Sequence, residues 1–208
     1  MVIGIVGAEA AGKTALFKAI KDIAREKYVY VDIDKTIPYL LKKGGNCYNQ
    51  LVEELGDRDI LNRFGDIPWD ILNKRFIDDL ELFHDFMKIV QPYVSAYLSK
   101  LITSCPNRLI FMSSTYLLDF DWKDKCDRIV CVDSRDGLRM KRMRNRRCNR
   151  AMYEKILART KSPEYMKEYA DIVLTNDDKA IFKKEVKKMM RELLNFKKFV
   201  DMGMIPLK

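Results

Sequence analysis

The opening residues MVIGIVGAEAAGKT restrict this chain more than any later stretch. Val2 to Val6 are a short, continuous apolar run rich in β-branched side chains, which suits a parallel strand buried on both faces. Gly7, Ala8, Glu9, Ala10, Ala11, Gly12, Lys13 and Thr14 then fit G-x-x-x-x-G-K-[ST], with fewer glycines than most such loops. The run KTALFKAIKDIAREK places Leu16, Ile20 and Ile23 at helical spacing, so a helix is expected to begin inside the motif and run over 13–27. Strand, loop and helix in that order form a phosphate cradle. Gly7 and Gly12 let backbone amides converge on phosphate oxygens, Lys13 supplies a mobile cation, and Thr14 can offer its hydroxyl to Mg²⁺. The helix also turns its positive end toward the same anion.

The remaining chain repeats this pattern. YVYVDID (28–34), RLIFM (108–112), RIVCV (128–132) and DIVLT (171–175) read as further strands, separated by helical stretches rather than hairpin turns. The expectation is an α/β fold, a parallel five-stranded sheet covered by helices on both faces as in P-loop NTPases. A mostly helical insertion over about 35–100 is expected to bind an acceptor, and a lid is expected over about 135–165. All of this reads as one domain over 1–208. KKGG (42–45) breaks the insertion, and GDIPWDIL starts a new helix there, with Asp66 as its cap and Pro68 in its first turn. The last helix, from about Asp178, carries Phe182, Val186, Met189, Met190 and Leu193 on one face and lysines on the other.

A net charge of +9 favours anionic partners, from nucleotides to nucleic acid and acidic membranes. Five scattered cysteines, no C-x-x-C pair and a single histidine, His84, argue against zinc and for free thiols in a reducing cytoplasm. No apolar stretch reaches the roughly 18 residues a spanning helix needs, and the chain starts without a basic leader, so a soluble cytoplasmic protein is expected. His84 lies in an amphipathic stretch and reads as structural.

Two further signals bear on chemistry. If the second strand runs to Asp34, alternation sends the Asp32 and Asp34 carboxylates to the same side, at the sheet edge where ligands bind. One could orient Mg²⁺ through water while the other takes a proton from an attacking hydroxyl. The alternative is that Asp34 caps a helix. The second signal is RDGLRMKRMRNRRCNR (135–150), the densest basic run. Arginines closing from a lid would stabilise the charge that spreads over a transferring phosphoryl group. A solvated helix face or a nucleic-acid stripe are the other readings, and the interleaved Leu138, Met140 and Met143 weaken the stripe.

With these pieces in place the chain resembles the dephospho-coenzyme A kinases. The likeness rests on the phosphate loop, VDID, KKGGNCYNQLVEELG, ILNKRF, IVQPYV, CDRIVCVD, the arginine run and YADIVLTND, in that order and to about residue 195. The resemblance implies transfer of the ATP γ-phosphate to the 3′-hydroxyl of dephospho-coenzyme A with Mg²⁺. By matched position, Asp34 would be the general base and Asp32, with Thr14, would serve the metal. Arg146, spaced R-x-x-x-R from Arg142, would be the lid arginine, and Asn176 would close around adenine. The departures fall mostly in the acceptor half, apart from alanines in the phosphate loop where the family often has glycine and serine. Gln91 and Ser95 replace a histidine and a basic residue, Pro68 and Trp69 stand where the family has D-R, and Asp119 at most stands in for a glutamate. Two other readings therefore stay open, a (deoxy)nucleoside monophosphate kinase and a nucleotide-gated nucleic-acid-binding module with little turnover. Retention of Lys13, Thr14 and both aspartates argues against the last. A monomer is the expected state.

Overall fold

The computed structural model describes residues 1–24 and 28–204. In chain order, β1 (Val2–Val6), α1 (Lys13–Ala24) and β2 (Tyr28–Asp32) precede α2 (Ile33–Leu40), α3 (Asn46–Leu55), α4 (Trp69–Arg75) and α5 (Leu80–Ser104). There follow β3 (Leu109–Ser113), β4 (Arg128–Asp133), α6 (Asp136–Arg144), α7 (Arg150–Leu157), α8 (Pro163–Tyr169), β5 (Ile172–Thr175) and α9 (Lys179–Asp201). Residues 25–27 of the helix expected over 13–27 lie outside the described residues. The chain divides into two compact units, Met1–Val31 with Ser104–Lys208, and Asp32–Thr103.

The first unit is built on a five-stranded sheet in the order β2-β3-β1-β4-β5, so β1 is central. β1 pairs in parallel with β3, Val2 opposite Ile110, and with β4, Val6 opposite Cys131. β5 adds in parallel outside β4. Ile3 and Ile5 face a layer made by Leu16, Ala19 and Ile20 of α1 and by Phe182, Val186, Met189, Met190 and Leu193 of α9. Each of the larger side chains contributes about 1.5–3 kcal/mol on burial, and this layer holds α1 rigidly behind the loop that precedes it. On the opposite side, Gly4 faces Leu117, Cys126 and Ile129. The α9 stripe read from the sequence is buried at all five positions.

Four of the five strands begin and end within a residue of the sequence reading. The second does not. β2 ends at Asp32, and Ile33 and Asp34 already belong to α2. The reason is a cap. The Asp32 carboxylate accepts from the Lys35 amide at 3.4 Å and pairs with the Lys35 ammonium at 2.8 Å. A free amide at the helix start outweighs one more extended residue.

The second unit is helical. Trp69 meets Phe76 edge-on and lies tilted against Phe86, and Phe76 meets Phe83, so the tryptophan is part of an aromatic cluster. The start of α4 differs from the reading of GDIPWDIL. Pro68 is the N-cap, no side chain caps it, and Asp66 instead joins Asn62 in the preceding turn. Proline fits there because it has no amide to satisfy. Tyr48 donates to the Gly65 carbonyl, and Arg75 donates to the carbonyls of Arg58 and Asp59, tying the loop before α4 to its neighbours. His84 is exposed on α5 beside Phe83.

Candidate active site

The loop between β1 and α1 leaves the carboxyl end of the central strand, where open parallel sheets bind ligands. Gly7 and Gly12 are required by its path. Their φ angles are +154° and +121°, and a Cβ would collide with the Val132 carbonyl oxygen at the first and the Asn176 side chain at the second. Ala10 takes φ +62°, a left-handed conformation that costs a non-glycine residue about 1–2 kcal/mol. Such strain persists where the surroundings hold it. Here Ala10 is packed with Met140, Met143, Cys148 and Tyr153. The interleaved methionines of the basic run thus serve to seat α6 and α7 on the phosphate loop.

Lys13 opens α1, and its ammonium donates to the Gly7 carbonyl at 2.8 Å, folded back over the loop. Thr14 is exposed in the first turn of the same helix. Ala8 and Ala11, within the loop, are buried. Glu9 projects from it, and its carboxylate is 2.7 Å from the Arg146 guanidinium. An acid in a phosphate loop is unexpected on electrostatic grounds, and this ion pair is how its charge is met.

The two arginines expected in the lid are held differently. Arg146 is more than half exposed and bonded to the loop only through Glu9. Arg142 is a brace. Its Nη1 donates to the carbonyls of Ala10 and Ala11 at 2.9 and 3.0 Å and to Ser134 Oγ at 3.2 Å, and Nη2 donates to the Asn176 carbonyl at 2.6 Å. Asn176, expected near adenine, has its side-chain amide 2.8 Å from the Ala11 carbonyl, and its backbone N–H donates to Asp133 at 2.8 Å. Beside it, the backbone N–H of Arg135, the Ser134 hydroxyl and the Arg135 guanidinium hold the Asp177 carboxyl below its ordinary range. This network of Ser134, Arg142, Asn176 and Asp177 fixes the loop from behind. Sequence reading missed Ser134, Asp177 and the Glu9 contact, because none belongs to a motif that signals it.

Asp32 and Asp34 begin the helical unit. Asp32 is the N-cap of α2 and Asp34 stands in its first turn, so the strand alternation expected to align them does not apply. The capping role weighed for Asp34 is filled by Asp32. Among the described residues no group of three His, Cys, Asp or Glu is poised for a metal ion, and no helix is long and apolar enough to cross a membrane.

Comparison with known proteins adds four findings. The family described as CoaE, dephospho-CoA kinase, matches residues 1–181. A dephospho-CoA kinase of Streptococcus pyogenes is 28% identical over 202 residues, 94% of this chain and 99% of its own length. Among solved structures, TT1252 of Thermus thermophilus superposes with a TM-score of 0.72 at 20% identity, over 93% of this chain and 97% of that one. The dephospho-CoA kinase of Campylobacter jejuni gives 0.60 at 17% identity, over 92% and 96%. At those identities the solved structures speak to the fold.

Proposed function

This chain belongs to the dephospho-CoA kinase family, which makes it an ATP-using phosphotransferase of coenzyme A biosynthesis, and we propose that Lys13, Asp34 and Arg146 carry the transfer. The amides of residues 7–14 and the Lys13 ammonium hold the β- and γ-phosphates of ATP. Asp34 takes the proton from the 3′-hydroxyl of dephospho-coenzyme A. The oxygen so released bonds to the γ-phosphorus as the bond to the β–γ bridging oxygen breaks, and ADP departs with that electron pair. Arg146 exchanges its Glu9 partner for the equatorial oxygens that gather charge in the transition state. The single observation that carries this reading is Lys13 at the head of α1, folded onto a loop that Arg142 and Asn176 brace from behind.

The residues suit Mg²⁺. That ion takes one or two protein oxygens and otherwise waters and substrate phosphates, and the exposed Thr14 hydroxyl offers one such oxygen. Thr14 would hold it, with Asp32 acting through water, and when bound it neutralises charge on the β- and γ-oxygens. The helical unit 32–103 takes the acceptor, and residues 135–165 act as the lid. Five free cysteines support a reducing cytoplasm. The protein acts as a monomer.

The test is a mass-spectrometric acceptor screen with Mg-ATP and, separately, dephospho-coenzyme A and each common nucleoside monophosphate. A product one phosphate heavier than dephospho-coenzyme A is expected. Phosphorylation of a nucleotide instead would turn the reading over and direct attention to Pro68, Trp69, Gln91 and Ser95.

A further inference from the structure

The reaction as described gives the last helix no task beyond packing, yet that helix carries much of the charge. α9 holds eight Lys or Arg and three acids, so more than half of the chain's net +9 sits on it. Phe182, Val186, Met189, Met190 and Leu193 fix its buried face. At about 3.6 residues per turn, Lys184, Lys187, Lys188, Arg191 and Lys198 fall in the arc opposite that face, and all five are exposed. At about 1.5 Å per residue the stripe is about 21 Å long. No acid of α9 falls within it.

Those acids do little to neutralise the stripe. Glu185 accepts from the Thr175 amide at 3.1 Å, Asp201 pairs with Lys197 at 2.5 Å, and Glu192 lies 3.8 Å from Lys188. Among the described residues Lys184, Lys187, Arg191 and Lys198 have no ion pair. The basic run 135–150 is a different case, because much of its charge is met within the fold. Arg135, Arg146 and Arg150 pair with Asp177, Glu9 and Asp136 at 2.7, 2.7 and 2.5 Å. Like charges aligned on one helix face repel one another, and an anionic surface laid against them relieves that repulsion.

The kind of anion follows from what stands among the cations. Leu194 is 48% exposed, Phe199 45% and Met202 55%. Leu194, Lys198 and Met202 are spaced four apart, so they follow one another along the outward side, with Phe199 beside them. Large apolar side chains turned to water gain nothing from a phosphodiester backbone. At a bilayer surface they enter the boundary between headgroups and acyl chains while the cations meet anionic headgroups. The buried face of α9 stays packed on the sheet, so the helix lies on such a surface rather than entering it. We propose that the outward face of α9 docks this protein on membrane surfaces rich in anionic lipid, with its cations on the headgroups and Leu194, Phe199 and Met202 at the boundary beneath them.

The experiment is partitioning of the full-length protein onto vesicles of phosphatidylcholine, alone or mixed with phosphatidylserine, read by sedimentation. Wild type is compared with a charge variant, K184Q/K187Q/R191Q/K198Q, and an apolar variant, L194S/F199S/M202S. Every substituted side chain is exposed, so both variants should melt close to wild type. Wild type should bind the mixed vesicles and leave phosphatidylcholine alone, and raised salt should release it. The charge variant should partition about a hundred-fold less or weaker still, at roughly five-fold per cation, and the apolar variant about ten-fold less. Wild type that binds neither vesicle, or both equally, overturns the proposal. So does either variant partitioning like wild type. Binding of a duplex oligonucleotide by wild type and the apolar variant alike, lost in the charge variant and with no vesicle bound, overturns it in favour of a nucleic-acid face. If one variant melts low, the lipid and salt dependence of wild type and the other variant decide.

Discussion

Replacing Arg142 by methionine separates two roles that the spacing R-x-x-x-R cannot. As a brace, Arg142 satisfies three carbonyls, those of Ala10, Ala11 and Asn176, besides the Ser134 hydroxyl. Methionine keeps the alkyl packing and removes every one of these donors. A buried carbonyl left without its partner costs about 1–3 kcal/mol. Arg142 is only half-buried, so water re-enters and the lower figure applies to each. Three carbonyls at about 1 kcal/mol then give about 3 kcal/mol. For a chain of this size each kcal/mol moves the melting temperature by about 2–4 °C, so R142M should melt about 6–12 °C below wild type. Thermal unfolding followed by circular dichroism reads this directly. R142K should recover less than half, because one ammonium cannot span carbonyls on opposite sides of a planar fork. A variant that melts within a degree or two of wild type yet loses a hundred-fold in kcat would refute the brace. Arg142 would then be a moving lid group, as its spacing alone suggests.

Four further outcomes follow from the same site. K13A should lower kcat by about a hundred- to a thousand-fold, the usual cost of one charge-stabilising donor, measured by coupled ADP release; unchanged turnover would remove the phosphate-loop assignment. D34N should reduce kcat far more than ATP affinity, and equal losses in both would make Asp34 structural or metal-binding. E9Q should leave the melting temperature nearly unchanged, since the Glu9–Arg146 pair is partly exposed to water, and should tighten ATP binding a few-fold by removing a negative charge and releasing Arg146; weaker binding in titration would contradict this. Burial pushes the Asp119 carboxyl up to about 6, against the opposing charges of Lys161 and Lys123. The folded protein thus holds that proton more tightly than the unfolded chain, so the contribution is complete below about pH 4 and is lost as pH rises through 6. D119N should flatten that decline in melting temperature between pH 4 and pH 7, and an unaltered pH profile would show that Asp119 does not produce it.

The fold class and the phosphate loop were legible in the residues themselves because each is encoded over a short span. Val2 to Val6 declare a buried strand by composition, and the glycines at 7 and 12 stand where no Cβ fits. The α9 stripe needs only its own helical period to be read. Asp32 and Asp34 show where such local reading stops. A D-x-D pair suits a strand end and a helix cap alike, and the Lys35 amide decided between them. The candidate site depended still more on packing. Arg142 and its acceptor on Ala10 are 132 residues apart, and Asn176 and Ala11 are 165 apart. No periodicity within the basic run distinguishes Arg142 the brace, Arg146 on its Glu9 tether and Arg139 in the core. Side chains of one chemistry acquired three roles because the sheet order sets β4 beside β1 and β5 outside β4, and so brings α6 against a loop more than a hundred residues earlier. Sequence alone determined that this chain builds a phosphate cradle. Only the tertiary structure decided which of its charges are spent holding that cradle in place.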